Sequence, residues 1–226
     1  MFDEFIKREN TIFEILQAFV NSSLEFIVIG GYGISAYKHR FSTDVDIIIK
    51  VEDKIKFQEI LKKGKFVKTI TKDLDHTYTS EFIRYETIEK PSASIDLLIN
   101  GVGSRTTNAS FSFQEIKNYS KKREIIGSEK EVTCLVPDKE ILIVLKTHSG
   151  RLTDFRDVVA VSKDINIKLI ESLIWRGKKE IVKENIKKLL SLINDKGFID
   201  SFKGVFIEKK YDLDLESLNR LKELLK

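Results

Sequence analysis

The sequence has little of what staples, coordinates or spans. One cysteine, Cys134, among 226 residues excludes an internal disulfide and a cysteine-based zinc site, which agrees with a reducing compartment. The three histidines, His39, His76 and His148, share no metal-ligand spacing and are read as surface or locally hydrogen-bonded groups. Apolar runs are short: Ile141 to Leu145 falls far below the roughly 18 residues a spanning helix needs. The acidic Met1-Phe2-Asp3-Glu4 start has neither the basic end nor the apolar centre of a signal peptide, so a cytoplasmic location with no membrane partner is expected. Neither charge sign dominates, with 39 Lys+Arg against 35 Asp+Glu. A net charge of +4 and a pI near 8.9 permit an RNA or nucleotide partner without arguing for one. Two prolines and eleven glycines beside abundant Lys, Glu and Ile fit a thermophile and an AT-rich genome alike and carry no function. With 42% hydrophobic and 33% charged residues the chain is neither disordered nor membrane-buried, and its length suits one large domain or a core with a modest appendage.

The hydrophobic periodicity orders the elements. Phe5 to Val20 repeats apolar residues three and four apart, as an amphipathic helix does. Phe26 to Ile29 reads as a buried strand entering the Gly30-Gly31 turn, and Val45 to Val51 as another strand. Lys54 to Lys63 is helical with Gly64 as its stop. Phe66 to Ile70, Thr77 to Tyr85 and Ser94 to Ile99 read as strands, followed by the polar stretch Gly101 to Ser110 and a hairpin from Tyr119 to Val136. Pro137 is placed at a first helical position, ahead of an apolar face over Lys139 to Thr147. Helices are expected over Asp154 to Ser162, Ile167 to Arg176, Lys179 to Ile193 and Leu215 to Leu225, with no internal repeat. The fold class is therefore α/β (α+β): a mixed-sheet core over residues 1–136 and a helical C-terminal region over 137–226.

The chemistry concentrates between Val28 and Ile49. Two glycines ending a strand let backbone N–H groups approach an anion, and the helix that starts there points its positive end at the same place. An ordinary strand-to-helix turn has the same glycines. Asp44 and Asp46 are two apart in a strand, so both carboxylates project to one face while Val45 points to the core. Such a pair repels itself unless a cation sits between, which points to one or two hard divalent ions, foremost Mg²⁺. A strand-start cap is the plainer role for the same two residues. Asp96, inside Ile95-Asp96-Leu97-Leu98-Ile99, is a third acid in an interior strand unless that strand lies at an edge. Beside Asp44 and Asp46 it completes a cluster able to hold two metals for phosphoryl or nucleotidyl transfer.

Gly30-Gly31, Arg40, Thr43, Asp44-Val45-Asp46 and the later strand Asp96 resemble the DNA polymerase β-type nucleotidyltransferase superfamily. The resemblance implies a small mixed sheet flanked by helices, Mg²⁺ held by Asp44, Asp46 and Asp96, and an NTP near Gly30, Gly31, Arg40 and Thr43. It also implies in-line transfer of a nucleoside monophosphate, with Asp96 taking the proton of the attacking hydroxyl. The turn departs from the commonest pattern, since Tyr32 stands where a serine would and Ser35 comes one helical turn later. A second block, Val136 to Val158, is similar to AbiEii-type toxin nucleotidyltransferases and their relatives; by that likeness Lys146 contacts the triphosphate and Asp154 orients a catalytic group. The plainer roles are a snorkelling lysine, a helix-capping Asp154, and Asp157 paired with Arg151 or Arg156.

The resemblance covers roughly residues 26 to 160. Lys178-Lys179, Lys183, Lys187-Lys188 and Lys209-Lys210 either follow an RNA backbone or form a solvated face beside Glu180 and Glu184. Trp175 and the phenylalanines are read as core, and His148 is close enough to Lys146 in sequence to line the same site. Likeness to toxins implies an RNA acceptor and an antitoxin partner. The alternatives are a small-molecule nucleotidyltransferase of the antibiotic-modifying kind and a non-catalytic nucleotide-sensing module, against which the three intact carboxylates argue.

Overall fold

In the computed structural model, which describes residues 2–74, 77–79, 81–206 and 214–225, strands and helices interleave to residue 137 and helices follow. The elements are α1 (Phe2–Asn21), β1 (Phe26–Ile29), α2 (Gly30–Ser35), β2 (Asp44–Ile49), α3 (Lys54–Lys63), β3 (Phe66–Asp73), β4 (Glu81–Thr87), β5 (Ser94–Ile99), β6 (Gly101–Gly103), β7 (Ser110–Ser112) and α4 (Phe113–Asn118). Then come β8 (Ser120–Ile126), β9 (Glu131–Pro137), α5 (Lys139–Ser149), α6 (Leu152–Val161), α7 (Ile167–Ile174), α8 (Lys179–Leu192), α9 (Lys196–Asp200) and α10 (Leu215–Arg220), which tightens into a 3-10 turn through Leu225. His76, Lys209 and Lys210 lie outside the described residues.

Seven strands form one mixed sheet in the order β3-β4-β5-β2-β1-β9-β8. β2 runs parallel to β5 and β1 parallel to β9, and the remaining neighbours are antiparallel. All of β1 and all but the first residue of β5 are buried, as unbroken apolar runs require when both sheet faces are covered. The edge strands carry Lys68 and Lys72 on β3 and Lys121 and Lys122 on β8, charges that discourage pairing with another chain. On one side of the sheet α1 inserts Phe19 between Phe26 and Phe57, with ring centroids 5.7 and 4.8 Å away in edge-to-face contact.

Three expectations are corrected by the structure. Pro137 closes β9 instead of opening a helix, and the Asp138 carboxylate is engaged by Arg123 at 2.9 Å rather than by the first turn of α5. The strand expected from Thr77 begins at Glu81, because the Tyr78 backbone N–H donates to Ser110 Oγ beside β7 and not to the sheet. The polar stretch after Asn100 contains the small ribbon β6–β7, and α4 follows it. Ser112 caps α4 by accepting from the Glu115 backbone N–H at 3.2 Å, a Ser-x-x-Glu start that periodicity alone passes over.

Candidate active site

The parallel pairing of β2 with β5 builds the site. Asp44 lies opposite Ser94 and Asp46 opposite Asp96, so the alternation of both strands puts three carboxylates on one sheet face, while Val45 and Ile47 are buried on the other. Gly30, which follows β1 and opens α2 with φ +63°, fits against them: a Cβ there would stand 1.9 Å from Asp46 Oδ2. Only glycine combines that backbone conformation with that closeness. Asp46 has no hydrogen-bond or ion-pair partner among the described residues. Burial, then the charges of Asp44 and Asp96, push its carboxyl up to about 7.

Arg84, absent from the candidates read in the sequence, faces Asp96 across the β4–β5 ladder. Its Nε and one terminal nitrogen donate to the two Asp96 oxygens at 2.7 and 2.6 Å, and the same nitrogen reaches Asp44 at 3.4 Å. Burial nevertheless leaves the Asp96 carboxyl above its ordinary value. As these side chains stand, no group of three His, Cys, Asp or Glu among the described residues encloses a metal position. The donor set still fits a hard divalent cation, since it is all carboxylate oxygen and no described side chain is within hydrogen-bond or ion-pair reach of the Asp46 carboxylate.

The other half of the site comes from one tight turn. α5 ends at Gly150, whose φ of +69° and N–H bond to the Lys146 carbonyl reverse the chain into α6. Lys146 Nζ thereby meets Asp154 at 3.1 Å and Asp157 at 2.7 Å, in a nearly closed interior. Burial pulls the Lys146 ammonium toward neutrality, but Asp157 and Asp154 outweigh it and hold its pKa above the ordinary value. Asp154 also accepts from the Arg151 backbone N–H at 3.2 Å and from Arg151 Nε at 2.7 Å, so it caps α6 and pairs at once. Burial works against its ionisation, yet Arg151 and Lys146 keep its carboxyl below the usual value. Asp157 pairs with Lys146 and Arg40, not with Arg151 or Arg156.

The structure brings Gly30, Asp46, Lys146 and Asp154 to the lining of one cavity of about 500 Å³, together with Arg151 and His148. Arg40 is turned away to Asp157 and its own Phe41 carbonyl, and Thr43 stands exposed just before β2. Gly31 lies against Ser42, whose Oγ a Cβ would meet at 2.4 Å. Ser35 is buried and donates to backbone oxygens of Gly31 and Arg40. His148, neutral because burial and Arg176 push it down to about 4, holds Thr107 at 2.8 Å. Lys183 pairs with Glu180 on an open helix face, Trp175 packs against the core, and Cys134 is buried. No helix among the described residues is long and apolar enough to cross a membrane.

No family model and no curated protein matches the chain. Solved structures similar to it include the lincosamide antibiotic adenylyltransferase LnuA bound to lincomycin, at 17% identity over 73% of this chain and 97% of that one, with a TM-score of 0.44. The antibiotic-resistance factor ANT(2″)-Ia aligns at 15% identity over 88% of this chain and 97% of that one, with a TM-score of 0.44. JHP933 from Helicobacter pylori aligns at 16% identity over 97% of this chain and 88% of that one, with a TM-score of 0.47.

Proposed function

We propose that the chain is a Mg²⁺-dependent nucleotidyltransferase that moves a nucleoside monophosphate from an NTP to an acceptor hydroxyl. The observation that carries this is the in-register placement of Asp46 beside Asp96, with Asp44 on the same face and the Gly30 turn closed against Asp46. Asp44 and Asp46 would hold Mg²⁺, joined by Asp96, and the bound ion supplies charge stabilisation at the attacking and leaving oxygens. Glycine at 30 and 31 lets the turn close against Asp46 and Ser42, where its backbone N–H groups would meet the phosphate of an NTP held at the carboxylates. Lys146, kept charged by Asp154 and Asp157, gives the cavity wall a fixed positive group facing the phosphates. Asp96 accepts the proton of the acceptor hydroxyl as the new oxygen–phosphorus bond forms, and the bond to pyrophosphate breaks with pyrophosphate leaving. Its raised pKa suits it to hold that proton. The helical region 137–226 completes the site through Lys146 and Asp154.

Arg84 must release Asp96 before the three carboxylates can act together. Arg84→Gln is expected to tighten binding of Mn²⁺, used as a spectroscopic stand-in, at least about fivefold, since an ion pair with a partly exposed arginine and a buried carboxylate contributes at least about 1 kcal/mol. Unchanged affinity in an electron paramagnetic resonance titration would show that Arg84 does not compete with the metal.

The resemblance to toxin enzymes supports an RNA acceptor and an antitoxin partner. The bounded cavity beside Asp46 favours a second reading, a small-molecule acceptor. The test is incubation with Mg²⁺ and each α-labelled NTP in turn, with total RNA or a pool of small hydroxyl compounds. Label in RNA would establish the first acceptor class and label in a low-mass product the second. No label in RNA, protein or small molecules would refute transfer, and nucleotide binding that survives it would favour a sensor.

A further inference from the structure

Cross-strand register arranges the side chains of the site's sheet face in rows. One row reads Arg84, Asp96, Asp46, and the next along the strands reads Lys72, Phe82, Leu98. Strands lie about 4.8 Å apart and same-face rows about 7 Å apart, which sets Lys72 roughly 12 Å from Asp96. Phe82 and Leu98 thus form an apolar shelf between Asp46 and a lysine on the edge strand, all four lining the same cavity, with Asp96 next to Asp46 under Arg84.

Another part of that cavity's wall is the loop between β6 and β7, which several hydrogen bonds tie down. Ser104 Oγ donates to the His148 carbonyl at 2.9 Å, and Thr107 Oγ1 bonds His148 Nδ1 at 2.8 Å. The Thr107 carbonyl accepts from the Lys178 N–H at 2.6 Å, where Gly177 at φ +62° leaves no room for a Cβ. Thr107 and His148 are almost completely buried, so this anchor is part of the core. What it presents at the cavity is Arg105, exposed and without an ion-pair partner among the described residues. A guanidinium on a loop fixed in advance is preorganised for an anion.

The charges of the cavity can be accounted for one by one. Lys146 and Arg151 are engaged by Asp154 and its neighbour Asp157, and Asp46 is assigned to the metal. Lys72 and Arg105 remain, both positive, with no unpaired carboxylate near them among the described lining residues. We infer that the acceptor is a small anion: a hydroxyl at Asp96, an apolar body on Phe82 and Leu98, and a phosphate or carboxylate held by Lys72 and Arg105. This rests on the transfer reading above and narrows its small-molecule branch. A polycation of the aminoglycoside type is disfavoured, because with Asp46 given to the metal its ammonium groups would meet two cations and no remaining unpaired acid of the wall.

Calorimetry on the full chain with Mg²⁺ and α,β-methylene-ATP tests it with two matched probe pairs, uridine against uridine 5′-monophosphate and pyridoxine against pyridoxine 5′-phosphate, beside tobramycin. In at least one pair the phosphorylated probe is expected to bind about tenfold tighter, with the preference lost in Arg105→Ala and halved or better in Lys72→Ala. Absence of a charge preference in both pairs, tighter binding of tobramycin, or a preference that persists in Arg105→Ala would overturn it. Loss of probe binding when the ATP analogue is present would also do so, assigning the cavity to the nucleotide. Binding of the analogue by the unmodified protein is the separate check on the transfer reading: if the analogue fails to bind, that reading falls as a whole.

Discussion

Replacing Asp46 with asparagine is expected to abolish nucleotidyl transfer and, in the same protein, to raise the stability of the metal-free fold at pH 8. The first effect follows from removing the central metal ligand, and a fall of about a hundred- to a thousandfold is the scale on which a single electrostatic group at a reacting centre acts. The second follows from the isolation of the carboxylate. Burial, with Asp44 and Asp96 alongside, moves its pKa from an ordinary 3.8 to about 7 in the folded chain. Between those values the folded state keeps a proton that the unfolded state has released. Raising the pH through that window therefore lowers stability, and above it the penalty is complete. Asparagine carries no charge and escapes the penalty. The gap in melting temperature between variant and parent, measured in EDTA, should be near zero at pH 4, open as the pH rises toward 7 and stay level above it. Asp154 does not blur this window, because its lowered pKa makes its own stabilisation disappear only below the ordinary carboxylate range. Added Mg²⁺ should raise the melting temperature of the parent and leave that of the variant unmoved. A variant less stable than its parent at pH 8 would mean that Asp46 has a structural partner, and the metal assignment would fail with it.

How much of this was readable in advance depends on the range of the interaction concerned. β1, β2 and β5 announce themselves as short apolar runs, and the two-residue period alone puts Asp44 and Asp46 on one face. The place of Asp96 needed one further fact, that β5 lies next to β2 in parallel, and the apolar residues around it make an interior strand the natural choice. Arg84 was not legible in the same way. Its strand is recognisable, but which strand it pairs with and in what register is decided by the whole sheet, and a one-residue slip would have sent Arg84 to the other face. Pro137 misled for a local reason: a proline before Asp-Lys-Glu suits a helix start, yet it also suits the last residue of a strand. The family resemblance implied Arg40 beside the NTP, and in the structure Asp157, on a helix more than a hundred residues away, pairs with it.

That pairing makes Asp157→Ala the substitution expected to damage the fold most. The Asp157 carboxylate is fully enclosed, with one oxygen on Arg40 and the other 2.7 Å from Lys146 Nζ. Three elements meet there: the loop before β2, the end of α5 and the middle of α6. Alanine would leave Arg40 without its carboxylate and facing Lys146, which keeps only Asp154, and breaking a buried pair in this way costs about 3 kcal/mol. Urea unfolding should register that loss as a lower midpoint with an unchanged slope. The charge, not the volume, is the larger part, so Asp157→Asn should recover only a minor share. Lys146→Met added to Asp157→Ala should recover more, because it removes the cation that repels the freed Arg40 while Arg151 still pairs with Asp154. A loss under about 1 kcal/mol in the single variant would place the network among weak surface pairs. The catalytic consequence is separable from the structural one: Asp154 still holds Lys146 at 3.1 Å, whereas Arg40 loses its anchor. Arg40 and Phe41 are also where the chain near Val205 and Phe206 returns to the site, through an isolated bridge and the Phe41 N–H bond to Val205 at 3.0 Å. Freed from Asp157, this junction should become more open to protease than the sheet behind it, which places the first failure of the fold at the entrance to β2 and its two metal-binding aspartates.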